Sequence, residues 1–173
     1  MSPEPTEEKA TLGKKMAAEL NREAVSTRKM LERIPFEEIN WKPHEKSSEI
    51  GNLSEHIARL PSFVKHIITA DQFDLASSRK HPAINSNDEL TETFDGFLAE
   101  ASEYLNTVSD EDLMVNWKLK SGEHTLFDMA RVAVIRSLVF GHLIHHRGQL
   151  SVYLRLKNIP VPSIYGPSAD EQQ

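Results

Sequence analysis

The stretch from Thr125 to Lys157 constrains the fold most, because it contains no proline and its apolar residues recur at helical spacing. It stops before Asn158 and Pro160, a sequence typical of a helix end. One face of the predicted helix carries Ile135, Leu138, Val139, His142, His146, Gln149, Leu150 and Tyr153. Because a helix with such a face has to bury it against other elements, the pattern predicts a long helix in the interior of the fold.

Three further segments show the same periodicity. They predict helices over Leu12 to Ile34, from Ser47 and Ser48 as N-cap residues to about Ile67, and from Asp88 to Asn106. Pro61 lies inside the second of these and should kink or divide it, since proline removes one helical hydrogen bond. Residues 107–123 are predicted to be irregular, with at most a short turn or hairpin at residues 117–122 and no sheet. The prediction is an all-α fold, an antiparallel four-helix bundle.

The chain of 173 residues has the length of one domain. We predict a flexible N-terminal segment over residues 1–11 and a single domain over residues 12–173, with the C-terminal tail included. The most apolar region, residues 129–144, is interrupted by Arg131, Arg136 and His142, so it does not predict a membrane span. The first residues are acidic and contain proline, unlike a signal peptide, so we expect a cytoplasmic protein.

The charge and the absence of cysteine exclude several functions. The 20 Lys and Arg residues are scattered among 26 Asp and Glu residues and the net charge is −6, which argues against a nucleic-acid partner. Without cysteine there is no disulfide, thiolate zinc site or cysteine nucleophile. Histidine therefore has to carry any metal chemistry.

His142 and His146 are four residues apart on the long helix. They differ by about 40° around the axis and by about 6 Å along it, so that both imidazoles can reach one ion. Two hydrogen-bonded, inert core histidines are the alternative, but two imidazoles stacked on one apolar face favour a shared metal. His56, beside Leu53 and Ile57 on the second predicted helix, is the best candidate for a third ligand.

Three imidazoles leave coordination positions open, which is typical of a catalytic zinc-type site. Such a site can activate bound water or a thiol. His145 lies about 100° from His146 around the helix and is predicted to be at the surface or to support a ligand. The remaining histidines are expected in solvent: His44, His66, His81 and His124.

The sequence resembles the DinB-like superfamily of metal-dependent bundle enzymes. The resemblance rests on GNLSEHIA at residues 51–58, HLIHHRGQL at residues 142–150 and YGPSADE at residues 165–171, and it extends over nearly the whole chain. It implies a four-helix bundle of up-down-down-up type that forms a homodimer. It also implies a divalent transition metal, zinc or nickel, held by His56, His142 and His146.

Relatives in this superfamily use low-molecular-weight thiols such as bacillithiol or mycothiol. The leading hypothesis is therefore a metal-dependent thiol S-transferase or hydrolase that acts on a small-molecule substrate. The alternatives are a non-catalytic protein that binds a metal or a small molecule, and a helical interaction module without a metal.

Other residues of these motifs are predicted to have structural roles first. Gly148 is expected to allow close approach of another helix, and Arg147 to form a salt bridge with a neighbouring helix or the acidic tail. Gln149 either orients a ligand imidazole or is a satisfied buried amide. Trp41 and Tyr165 are expected to pack rather than to contact substrate.

Overall fold

The structure, a computed structural model, describes residues 10–77 and 82–171. His81 and nearly all of the predicted flexible N-terminal segment lie outside these residues. The prediction of a single domain over residues 12–173 stays a prediction.

The described chain is mostly helical. Its helices are α1 (Leu12–Leu31), α2 (Ile50–Arg59), α3 (Phe63–Thr69), α4 (Asn87–Thr107), α5 (Asp110–Met114), α6 (Arg131–Val134) and α7 (His142–Leu156). A π-helical segment, Ile135–Gly141, joins α6 to α7. Short 3-10 turns occur at Phe36–Glu38, Leu60–Ser62 and Leu75–Ser77. The Leu60–Ser62 turn separates α2 from α3, which confirms that Pro61 divides the second predicted helix.

A small three-stranded sheet corrects the all-α prediction. Its strands, in spatial order, are β1 (Gln72–Asp74), β2 (Asn116–Ser121) and β3 (His124–Ala130). β1 pairs parallel to β2, with Phe73 opposite Leu119, and β2 pairs antiparallel to β3. The long helix therefore begins at Arg131 and not at Thr125, because residues 124–130 satisfy their backbone groups by pairing with β2.

The N-terminus of α2 is held by the preceding connector. The backbone N–H of Ile50 donates to the Trp41 carbonyl at 2.8 Å, and that of Gly51 to the Ile39 carbonyl at 2.9 Å. These contacts satisfy N–H groups that a helix start leaves unpaired. The prediction of Ser47 or Ser48 as the N-cap is wrong, since Glu49 occupies that position without a side-chain cap.

The helices pack around a core that fixes the relative positions of α2 and α7. α1 packs against α4 and α7, and α2 packs against α4 and α7. The core between them includes Ile57 of α2, Phe94 of α4 and Leu150 of α7, all fully buried. Of the helices in the described residues, none combines the length and the apolar character needed to cross a bilayer.

Candidate metal centre

The structure brings His56 on α2 together with His142 and His146 on the first turns of α7. Their ligand-type atoms all lie within 4.8 Å of one another. The Nε2 atoms of His56 and His142 are 3.3 Å apart, and the ring centroids of His142 and His146 are 4.5 Å apart. The three histidines selected from the sequence thus form one cluster, and their role as metal ligands stays a prediction.

The spacing of the cluster suits an ion of zinc size. Two nitrogens that each lie about 2.0–2.1 Å from a tetrahedral ion are about 3.3–3.4 Å apart. The separation of 3.3 Å between the Nε2 atoms of His56 and His142 has this value. Where a separation within the cluster approaches the limit of 4.8 Å, an imidazole has to turn toward a bound ion.

Two of the three imidazoles are held in the neutral form. Burial lowers the pKa of His56 to about 4, with further lowering by the charges of His142 and His146. Although the residue is exposed as a whole, its ring is crowded by the other two, with centroids 4.8 Å from each. Burial also lowers the pKa of His142, followed by the charge of His146. Neutral imidazoles are the form that binds metals.

A chain of hydrogen bonds fixes the orientation of His146. Its Nδ1 lies 3.0 Å from Oε1 of Gln149, whose Nε2 donates to the Tyr153 hydroxyl at 3.2 Å. That hydroxyl donates to the Ser48 carbonyl at 3.2 Å. Because the single hydroxyl proton is used there, the tyrosine accepts from the amide, and Oε1 accepts from Nδ1–H of His146. The network therefore assigns the proton to Nδ1 and leaves the Nε2 lone pair free for an ion.

Arg147 has the structural role predicted for it, and its side chain contacts α1 rather than the histidine cluster. The residue is 1% exposed, and its guanidinium binds Glu23 through the carboxylate at 2.6 Å and the backbone carbonyl at 2.8 Å. It also donates to the Tyr165 hydroxyl at 2.7 Å, which ties the C-terminal tail to α1 and α7. Gly148 is exposed, and a β-carbon added to it would meet no atom within 4 Å, so the predicted close helix approach there is wrong.

The other described histidines lie outside the cluster. His44, His66 and His124 are exposed, as predicted for solvated side chains. His145, predicted to be at the surface or to support a ligand, is exposed as well. The ring of His145 contacts that of His146 edge-on, with centroids 4.9 Å apart.

A pocket of about 240 Å³ opens beside the cluster. The sheet contributes to it, a feature that the sequence prediction missed. Apart from two of the imidazoles, its described lining is apolar: His56, Leu60, Phe63, Leu75, Leu119, Leu138 and His142.

The fold and the cluster together define a class of mostly helical proteins that carry three converging histidines next to a small pocket. The sequence profile described as the DinB family matches residues 6–173. The chain belongs to the DinB family.

Two crystal structures show the same fold. A DinB-like protein from Bacillus cereus ATCC 10987 is 21% identical, with a TM-score of 0.65 over 86% of this chain and 94% of that one. The DinB-like protein YjoA from Bacillus subtilis is 18% identical, with a TM-score of 0.64 over 92% of this chain and 99% of that one. A comparison with curated proteins gives no match. The likeness to the two crystal structures extends to the fold, which is DinB-like.

Proposed function

We propose that this protein is a metal-dependent enzyme in which His56, His142 and His146 hold a divalent transition metal. The observation that carries the proposal is the convergence of three imidazoles from two helices, with all ligand-type atoms within 4.8 Å. Imidazole ligands suit zinc and nickel. Three protein ligands leave at least one position open, the arrangement of catalytic rather than structural zinc sites.

The chemistry we propose is transfer to or from a low-molecular-weight thiol, or hydrolysis, on a small-molecule substrate. The bound ion would supply Lewis-acid activation of a thiol or of water. In S-transfer the thiol releases its proton to solvent, its sulfur forms a bond to the electrophilic carbon, and the leaving group departs with the electron pair of the broken bond. The contribution of the chain is to hold neutral imidazoles in place, with Gln149 orienting His146.

One observation favours a second function, capture of a metal or small molecule without catalysis. In the described part of the chain, the cluster that could hold a metal contains no carboxylate, so no acidic side chain in it can act as a general base. In this alternative the same histidines hold the ion, but no bond in the ligand is broken.

Two further expectations remain part of the proposal. The up-down-down-up four-helix bundle is supported by the packing of α1, α2, α4 and α7 against one another. A homodimer is proposed from the resemblance to the DinB-like superfamily alone.

The proposal is tested by removing metal from the purified protein, restoring zinc or nickel, and measuring turnover with a panel of thiols and electrophiles. We expect turnover that depends on metal, is lost in His142→Ala and is retained in His124→Ala, a variant of an exposed histidine on β3. Activity of His142→Ala equal to that of the wild type would refute the metal-dependent function. Stoichiometric metal with ligand binding but without product would favour capture.

A further inference from the structure

The pocket beside the histidine cluster has almost entirely apolar walls. Besides the imidazoles of His56 and His142, every described residue that lines it has an aliphatic or aromatic side chain. A charged or hydroxyl-rich group placed there would lose its hydration without gaining a partner, which costs several kcal/mol for a polar group and more for an ion, by rough transfer values. The pocket thus favours an uncharged, apolar occupant.

Several helical elements and the sheet contribute side chains to the walls of the pocket. Leu60 and Phe63 flank the break that Pro61 makes between α2 and α3, and Leu138 lies in the π-helical segment one turn before His142. Because α2 also carries His56, the same helices position both the imidazoles and these apolar side chains. The pocket and the metal-type cluster therefore form one site.

The sheet supplies the remaining wall. Leu119 lies on β2, and Leu75 lies in the 3-10 turn that directly follows β1, the parallel neighbour of β2. One carboxylate oxygen of Asp74 accepts hydrogen bonds from the backbone N–H groups of Ala76 and Gly122, both at 2.9 Å. These bonds tie the turn that carries Leu75 to the β2–β3 turn. The position of Leu75 is thereby fixed by the fold, although its side chain is partly exposed.

The volume limits the size of the occupant. A cavity of about 150 Å³ lined by aliphatic and aromatic side chains accommodates benzene, whereas sites for drug-sized ligands have about 300–1,000 Å³. A pocket of about 240 Å³ lies between these values. It suits a substituted aromatic ring or a short alkyl chain, not a whole drug-sized molecule.

We propose that the substrate of this site carries an uncharged alkyl or aryl group, which occupies this pocket while an adjacent donor atom reaches the ion held by the histidines. The inference rests on the proposed function, because it assigns the substrate class of the same site. A polar thiol would approach from the solvent side, where His56 is exposed.

The test uses n-alkyl hydroxamates, whose head group binds zinc and whose chain length can be varied. Binding of aceto-, butano- and hexanohydroxamate to the zinc-loaded protein is measured by calorimetry. A buried methylene contributes roughly 0.8 kcal/mol, so affinity should rise about fourfold per methylene. A hexanohydroxamate analogue that ends in a carboxylate should lose this gain.

A matched pair of variants localises the effect. Leu75→Asp places a charge on the pocket wall at a side chain that is 43% exposed, so that the fold should tolerate it. We expect it to weaken hexanohydroxamate binding at least about tenfold, because the alkyl chain of this ligand would have to cover the carboxylate and remove part of its hydration. Acetohydroxamate is too short to cover it, so its affinity should be unchanged. Leu126→Asp, at a 53% exposed leucine of β3 outside the pocket lining, should change neither.

The outcomes separate the two proposals. Zinc and acetohydroxamate binding without any gain from longer chains, or equal effects of the two variants, would overturn the pocket assignment and leave the metal site standing. A protein that binds neither zinc nor nickel, but whose Leu75 and Leu119 methyl NMR signals respond to 1-hexanol, would refute the metal-dependent function and support the apolar pocket. Zinc binding with the expected chain-length dependence supports both.

Discussion

Replacing Gln149 with leucine should weaken metal binding without unfolding the protein. The substitution removes the acceptor of the Nδ1–H bond of His146, while a side chain of similar size keeps the packing of α7. His146 then loses the contact that selects its tautomer and holds its ring. Either tautomer becomes accessible, and only the one with a free Nε2 matches the arrangement of the cluster.

The size of the effect follows from the hydrogen bond that the substitution removes. A hydrogen bond of this kind contributes about 0.5–1.5 kcal/mol, and loss of the partner that orients a metal-binding histidine typically costs roughly 10–100-fold in affinity. We therefore expect Gln149→Leu to raise the zinc dissociation constant about 10–100-fold, equivalent to about 1.4–2.8 kcal/mol. Gln149→Glu keeps an acceptor and should bind zinc at least as tightly as the wild type.

Tyr153→Phe tests the next hydrogen bond in the chain that runs from His146 through Gln149 and Tyr153 to the Ser48 carbonyl. It removes the hydroxyl that accepts from the Gln149 amide, but leaves Oε1 able to accept from His146. We expect a smaller loss of zinc affinity than for Gln149→Leu, about tenfold or less by the same range. Urea unfolding of each metal-free variant provides the control for folding.

Competition with a chromophoric chelator gives the zinc affinities, and ¹⁵N NMR of the metal-free protein reads the tautomer of His146 directly. The wild type should carry the proton on Nδ1. A zinc affinity of Gln149→Leu within twofold of the wild type, or a wild-type His146 protonated on Nε2, would refute the orienting role.

Three further predictions concern stability. The pKa of His56 is lowered from 6.5 to about 4 in the folded, metal-free protein, so between these pH values the unfolded state binds the proton more readily. The free energy of unfolding should therefore fall as the pH is lowered from 6.5 to about 4. In urea unfolding, His56→Gln should show a smaller fall. Arg147→Met breaks a buried ion pair and should lower the free energy of unfolding by about 3 kcal/mol or more. Arg155→Met, at an exposed pair on the same helix, should lower it much less, and equal losses would contradict this. Gly51→Ala places a β-carbon 2.1 Å from a side-chain atom of Ile39 and should destabilise the protein by about 1–3 kcal/mol. Gly148→Ala, in open space on α7, should stabilise it by about 0.5–1 kcal/mol. Thermal melts that rank the two variants in reverse would refute the packing argument.

The features predictable from sequence are those set by local periodicity and by proline. α1 begins at Leu12 as expected, and the predicted third helix over residues 88–106 differs from α4 by one residue at each end. The break at Pro61 follows from its missing N–H group. The pairing of His142 with His146 follows from the pitch of the helix. The place of His56 beside apolar residues makes it a candidate for the third position, and the resemblance to the DinB-like superfamily selects it.

The sheet depended on contacts that no local pattern contains. β1 has three residues and pairs in parallel with β2, far along the chain, so its existence depends on tertiary structure. The one available signal was in β2, where buried Trp117 and Leu119 alternate with exposed lysine and asparagine. Residues 124–130 joined the helical pattern because a short apolar run fits either period.

The chain of hydrogen bonds from His146 to the Ser48 carbonyl could not be predicted in full from the sequence. Gln149 and Tyr153 lie on the same helix face as His146, which is visible from their spacing. The partner at the end of these hydrogen bonds, the Ser48 carbonyl, comes from the connector before α2. Only the packing of α2 against α7 places it there, and with it the direction of each hydrogen bond.

The most direct test of the central claim is a crystal structure of the protein with one equivalent of zinc, with the ion located by anomalous scattering at the zinc edge. We predict a single strong peak about 2.0–2.1 Å from one nitrogen each of His56, His142 and His146, with Nε2 as the donor of His146. Crystals of the zinc-treated protein without a peak at these histidines, or with the ion held by other side chains, would contradict the claim.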